Sequence, residues 1–292
     1  MRERRSRCER TSWREAKRVE GRARVIPVQD TFRLADKRQE EIKILTGERL
    51  KFFCHRGISC FTACCADLQL ILTPYDILRM KKRLQLSAGE FMDQYTAPDE
   101  RRESMFPLVC LKMRDDVRRQ CPFVSPQGCT IYEDRPGACR LYPWGRAASS
   151  DASGMKEGEF YFFVQEAHCL GFLEQREWTV EEWIQDQGAR LYNEMNRPWM
   201  EIVTNKSRRV RELNEQKLGM FHMVSYNLER FREFVFNTKF LKVFDISSEE
   251  IQKAASDEVE LMKLGMRWLK FALYGEDSFV PRAGVTEGPE SA

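Results

Sequence analysis

Between Cys54 and Cys169 the chain carries eight grouped cysteines, and two of them, Cys64 and Cys65, are adjacent. No other feature constrains the fold as strongly. The first group is Cys54, Cys60, Cys64 and Cys65, spaced C-x5-C-x3-C-C. The second is Cys121, Cys129 and Cys139, and Cys169 follows beside His168. Irregular short spacings with Gly57, Gly128 and Gly137 between them suit loops that fold around an ion, because glycine lets the backbone turn where other residues are strained. A single cysteine is usually a small buried hydrophobe. Packing does not explain eight in one stretch with a doublet.

The doublet also carries geometric information. Adjacent residues point to opposite faces of a strand, and about 100° apart on a helix. Two neighbouring thiolates therefore seldom reach one ion from a regular element. Either they serve two different metals, or one ligates while its neighbour packs. Eight thiolates divide into two sets of four, which fits two zinc sites or one or two iron–sulfur clusters. Order along the chain does not say which thiolate joins which site. The metal-ligand candidates are Cys54, Cys60, Cys64, Cys65, Cys121, Cys129, Cys139 and Cys169. Cys8, in a basic stretch, and Cys110, in the apolar run Phe106-Pro-Leu-Val-Cys-Leu, are set aside, the second as a core residue. His55 adjoins Cys54 and His168 adjoins Cys169; imidazole replaces one thiolate of four in many zinc sites, so both are secondary candidates. His222 lies in a helical stretch and reads as structural or exposed.

A chain of 292 residues with 42% hydrophobic content can bury a sizeable core without cross-links. No stretch approaches the roughly 20 apolar residues that span a bilayer, and Met1 to Arg24 has no apolar run of the kind a signal peptide needs. These features predict a cytoplasmic protein with reduced thiols, so cysteine groups read as metal ligands ahead of disulfides. Net charge is +3, but residues 1–24 alone carry nine Arg and one Lys against four Glu. That basic stretch reads as a solvated extension and not as a nucleic-acid arm, because only Trp13 offers a stacking group. The expected partners are a metal ion or cluster and a protein bound through the helical region, with neither membrane nor nucleic acid.

Four regions are expected: a basic, partly disordered extension (1–45), a cysteine-cluster metal-binding domain (46–175), a helical region packing on it (176–275), and a disordered tail (276–292). Thr73-Pro-Tyr-Asp76 caps a helix with Pro at its first position, running to about Leu84. Ser87, Thr179 and Ser247 each precede Glu at the capping-box spacing and start further helices. After the last, Ile251, Ala255, Val259, Met262, Met266 and Leu269 recur at helical spacing. Pro198 is expected to break or offset the helix after Asn196. Strand signals are confined to 160–165 (FYFFVQ) and Val25 to Val28. The fold class is mostly α with a small β component, built as a loop-rich cysteine core plus a helical C-terminal region.

Arg135 and Arg140 flank Cys139. They suit either the negative charge of a tetrathiolate site or, for Arg135, the Asp134–Pro136 turn. Phe52, Phe53, Phe61 and Phe123 point to a covered site, and Pro122, Pro136 and Pro143 stiffen the loops.

The run Cys121-Pro-Phe, then Cys129-Thr-Ile-Tyr-Glu-Asp-Arg135-Pro136, then Cys139-Arg140-Leu-Tyr142-Pro143 resembles the YkgJ-type cysteine-cluster proteins, a group of zinc- or iron-chelating domains. The resemblance covers roughly Cys54 to Cys169. It implies a zinc or iron–sulfur cofactor on the eight cysteines. The five residues between Cys54 and Cys60 depart from the two common in that family. A distant similarity to flagellin lysine N-methylases adds an enzymatic alternative. Three readings follow: a metal-binding protein whose site holds the fold, an iron–sulfur-dependent protein-modifying enzyme such as a lysine N-methylase, and a zinc or iron delivery protein. The chain contains no C-x3-C-x2-C radical loop, P-loop, dinucleotide-binding turn or H-E-x-x-H motif, which favours the first.

Overall fold

The computed structural model of the chain describes residues 49–101, 104–149, 158–205 and 213–282. All of them lie in one unit, 40–292. The basic extension, Cys8, the strand expected at Val25 to Val28 and residues 283–292 lie outside the described residues. The fold is mostly α-helical with small two-stranded sheets.

In chain order, β1 (Leu50–Lys51) leads into the first cysteine group, which is a run of turns. Helices α1 (Pro74–Leu84) and α2 (Ala88–Tyr95) follow. Each starts at a reciprocal capping box, Thr73 with Asp76 and Ser87 with Glu90. Strands β2 (Thr96–Pro98) and β3 (Val109–Leu111) form an antiparallel pair in the register Ala97↔Cys110. The hairpin β4 (Val124–Ser125) and β5 (Gly128–Cys129) leads to the short helix α3 (Gly137–Leu141). β6 (Trp144–Ser149) pairs with β7 (Gly158–Phe163), and β8 (Glu177–Trp178) returns to β1.

The remaining helices are α4 (Val180–Asp186), α5 (Ala189–Val203), α6 (Glu215–Tyr226), α7 (Leu228–Asn237), α8 (Phe240–Val243), α9 (Ser248–Ser256) and α10 (Glu258–Tyr274). One apolar core runs from Leu70 on the cysteine side to Phe279, through α1, α2, α5, α6, α7 and α10. Trp268, Phe231 and Phe240 are fully buried at its centre. The Lys81 ammonium, only 7% exposed, binds both Glu229 and Glu258 at 2.7 Å and so ties α1 to α7 and α10. A smaller aromatic cluster of Phe52, Trp144, Trp178 and Trp183 stands apart from that core. Among the described residues, no helix is long and apolar enough to cross a membrane.

Four local expectations change. α5 runs unbroken through Pro198. A proline inside a helix forfeits one backbone bond, but Trp199 and Ile202 beyond it are buried, so packing holds the last turn in place. The apolar repeat after Ser247 is two helices and not one, because the Asp257 carboxylate caps α10 afresh, accepting from Val259 and Glu260 N–H. Within α9 the buried alanine is Ala254, while Ala255 is exposed. The strand expected at 160–165 begins earlier, at Gly158, and ends at Phe163, with its partner β6 in a stretch that carries no alternating pattern. Finally, residues 276–282 are held: Phe279 is buried, and Arg282 donates to the Phe244 carbonyl.

Candidate metal centre

The first cysteine group is fixed from outside itself. Phe52 N–H donates to Arg176 O (2.8 Å), Phe53 N–H to Gly171 O (3.0 Å), and Trp178 Nε1 to Phe52 O (2.8 Å). These bonds lay Cys54 alongside the segment that carries Cys169. Gly171 is required at that contact, because a Cβ there would stand 2.7 Å from the buried Phe52 ring. Leu170 N–H then donates to the Cys60 sulfur at 3.3 Å. Between Cys60 and Cys65 the chain makes tight turns, with Ala63 N–H on Cys60 O and Cys65 N–H on Thr62 O.

The second group is built against the other side of the doublet. Cys121 N–H donates to Cys65 O at 2.8 Å, and Ala66 bridges Gln120. The β4–β5 hairpin pairs Val124 with Cys129. Cys139 rides on α3, whose first residue, Gly137, donates its N–H to the buried Asp76 carboxylate at 2.8 Å. Asp76 also accepts from Thr73 N–H, at 3.0 Å, in the α1 capping box. One side chain therefore caps α1 and anchors the helix that carries a cysteine.

Of the three glycines expected to shape the loops, Gly128 alone has a positive φ, 113°. Non-glycine residues do the turning instead. Thr62 (φ 66°), Asp67 (52°) and Arg119 (48°) all lie within two residues of a cysteine. That region is unfavourable for ordinary side chains, most of all for a β-branched one. Such strain persists where the surroundings over-determine it, and it clusters at functional sites.

The thiols fall into neighbourhoods that influence one another. Burial, then Cys64, Cys169 and Cys60, raises the Cys54 thiol to about 11. Cys64 is pushed up first by its neighbour Cys65, then by burial and by Glu166. Cys139 is exposed by surface area, yet protein crowds its thiol; that burial, ahead of Cys121, Asp76, Cys129 and Cys64, holds it well above the ordinary range. Burial also raises Cys169, Cys121 and Cys129. All nine described cysteines are free thiols. Among the described residues, no three His, Cys, Asp or Glu side chains stand close enough together to hold one ion. The set is gathered without being closed to ligand distance.

Cys110 sits on β3, its sulfur 3.7 Å from Asp99, and it is absent from every interaction above. His55 stacks on Phe53, accepts from Gly57 N–H, and faces Glu174 at 3.6 Å. His168 faces Glu166 at 3.1 Å. His222 packs edge-on to Tyr226 in α6.

Arg135 and Arg140 are each only 7% exposed. Arg135 donates to Tyr132 O (2.6 Å) and Gln187 Oε1 (2.7 Å), and stacks on the Tyr132 ring. Arg140 donates to Arg135 O (3.2 Å), Gln187 O (2.8 Å), Glu133 O and the Tyr192 hydroxyl. Every partner is neutral. Among the described residues Arg135 has no ion pair, and its charge lies near the Cys129 and Cys139 thiols, whereas Arg140 lies near the buried Asp76 carboxylate. Arg135 thus holds the turn through its bond to Tyr132 O, while its guanidinium lies near those two thiols.

Two further residues were not legible in the sequence. The buried hydroxyl of Tyr142, inside the Cys139-Arg140-Leu-Tyr142-Pro143 run, has no hydrogen-bond partner. It approaches the Cys169 sulfur without reaching hydrogen-bond geometry, and a thiolate there is the acceptor it lacks. Asp76 was legible only as a helix cap; its bond to Gly137 spans 61 residues. The donor set fits a thiophilic metal: clustered thiols, the buried Arg135 guanidinium beside two of them and an orphaned hydroxyl.

Residues 54–169 match the CxxCxxCC family model, described as a "Putative zinc- or iron-chelating domain". The first interval, C-x5-C, and the second, C-x3-C, are both longer here than in that pattern. The chain matches no curated protein and no solved structure.

Proposed function

We propose, with that family match as the premise, that this is a metal-chelating protein whose eight clustered cysteines, Cys54 to Cys169, hold zinc or iron. The observation that carries the reading is the buried Arg135 guanidinium. A buried charge without a partner is costly, and here Arg135 borders Cys129 and Cys139 with only neutral hydrogen-bond partners, while its neighbour Arg140 lies near the Asp76 carboxylate. Thiolates at those positions supply the missing negative charge. A bound metal supplies the positive charge that keeps the thiolates deprotonated, and it inverts the local preference for neutral thiols.

The chain's own residues perform the positioning. Asp76 sets the start of α3 and so the place of Cys139. The Phe53–Gly171 bond brings Cys54 to Cys169. Tyr142 presents its hydroxyl toward Cys169, in the way outer partners tune metal ligands elsewhere. The reading calls for a reducing compartment such as the cytoplasm, where nine free thiols persist.

The test is purification without oxygen, followed by zinc, iron and sulfide analysis and a visible spectrum. Stoichiometric zinc in a colourless protein, or iron with sulfide in a brown one, supports the proposal and names the metal. A wild-type protein that takes up neither sinks it. Unchanged metal content and folding in Cys64→Ser and Cys139→Ser would remove these two from the ligand set.

A further inference from the structure

We propose that the eight cysteines form two separate four-thiolate centres, Cys54, Cys60, Cys64 and Cys169 in one and Cys65, Cys121, Cys129 and Cys139 in the other, parted at the Cys64–Cys65 peptide bond. This rests on the metal-chelating reading and goes beyond it, since neither the spacing nor the family description divides the ligands.

Backbone bonds supply the first argument. Cys54 and Cys60 are both tied to the 169–171 segment, through Phe53 N–H on Gly171 O and Leu170 N–H on the Cys60 sulfur. Cys65 is tied instead to Cys121, through Cys121 N–H on Cys65 O, and the Ala66–Gln120 bridge continues that pairing. Cys129 belongs to the hairpin that Cys121 leads into, where Val124 N–H returns to Cys121 O.

The apolar base beneath each set is the second argument. Cys169, with Tyr142, packs on the small aromatic cluster of Phe52, Trp144, Trp178 and Trp183. Cys121 and Cys129 pack on the main core, which holds Phe123 and Ile131. The two clusters are separate, so Cys169 and the Cys121–Cys129 pair rest on different floors.

The third argument is the doublet. The doublet lies in a run of turns and not in an extended strand, so its two residues are told apart by what lies around each. Cys64 neighbours Glu166, Cys54 and Cys169, while the Cys65 carbonyl accepts from Cys121 N–H at 2.8 Å. Their sulfurs still touch one another, and Cys139 also feels Cys64, so the two sets meet at this one point. A tetrahedral zinc site, with Zn–S near 2.3 Å, needs its sulfurs roughly 3.8 Å apart. No three described donors stand that close round one point. Binding therefore draws each foursome inward, on turns for the first set and on the hairpin and α3 for the second.

The experiment uses the full chain with zinc or cobalt(II) added to metal-free protein under reducing conditions. Metal is counted by elemental analysis, and cobalt–thiolate absorption reports the ligand set. Wild type is expected to take two equivalents. Cys54→Ser/Cys60→Ser, carried on surface turns, should keep one equivalent with the four-thiolate cobalt spectrum. Cys121→Ser/Cys129→Ser should keep the other. The cross pair Cys60→Ser/Cys129→Ser should keep no intact four-thiolate centre. Circular dichroism checks that each variant folds; if the second pair does not, the first pair and the single variants Cys64→Ser and Cys65→Ser decide. Loss of all metal in Cys54→Ser/Cys60→Ser, or an intact four-thiolate spectrum in the cross pair, overturns the division while leaving the chelating reading standing. A wild type that binds no metal overturns both.

Discussion

Replacing Arg140 with methionine tests how far the second cysteine set depends on one side chain. Methionine keeps a flexible stem of similar length and removes every donor. Three carbonyls, those of Glu133, Arg135 and Gln187, lose a hydrogen bond in a buried setting, and the Tyr192 ring loses the cation 4.3 Å from its centre. At about 1 kcal/mol for each carbonyl left without a donor, the low end for such groups, the loss is about 3 kcal/mol. For a chain of this size that corresponds to about 6 to 12 °C in melting temperature. Arg140→Lys should recover only part of it, because a single ammonium cannot serve carbonyls lying in different directions. The assay is urea unfolding of wild type and both variants, each metal-free and metal-loaded. Arg140→Met should also surrender metal to a chelator faster than wild type, since positive charge beside Cys139 is gone. A variant within about 0.5 kcal/mol of wild type, the range of an ordinary surface change, and with the same chelator kinetics, would refute the reasoning.

Three other predictions are independent of that one. Gly171→Ala forces a methyl group to 2.7 Å from the Phe52 ring and 3.2 Å from Phe53 O. Overpacking of this kind costs about 1–3 kcal/mol, and cobalt spectroscopy should register it at Cys54 and Cys169 and not at Cys121 and Cys129. Asp76→Asn can satisfy only one of the two N–H groups that the carboxylate now serves, Gly137 and Thr73. A loss of about 1–3 kcal/mol in chemical unfolding is expected, and an unchanged midpoint would count against the anchoring role. The Lys81 cluster sets a pH dependence. Burial opposes the charge on Glu229, but the Lys81 hydrogen bond outweighs it and holds this carboxyl below its usual 4.5. Its contribution is therefore present above pH 4.5 and lost as pH falls through the lower folded value. Burial likewise opposes the charge on Lys81, and the bonds to Glu229 and Glu258 outweigh it, lifting the ammonium above 10.5. That part is present below pH 10.5 and lost as pH rises through the folded value. Urea midpoints measured across pH should show both limbs in wild type and a flattened acid limb in Lys81→Met.

The helix starts were readable in the sequence because a cap is a local event. Thr73, Ser87, Thr179 and Ser247 each accept from a backbone N–H three residues on, so the signal and its consequence share one turn of chain. The cysteine set was readable for a related reason, since thiolates so grouped have few uses besides a metal. The outcome at Pro198 was not legible because it depends on what lies across the core: α5 survives its proline through the burial of Trp199 and Ile202. By itself, then, the sequence determined the class of fold, the caps and the eight candidate ligands. Tertiary structure decided the rest. It paired Cys54 with Cys169 across the Phe53–Gly171 bond, joined Cys65 to Cys121, and brought Asp76 to Gly137. The physical reason is range. A hydrogen bond acts over about 3 Å of space whatever the distance along the chain, and no spacing of the cysteines could show that Cys65 O meets Cys121 N–H or that Leu170 N–H meets the Cys60 sulfur.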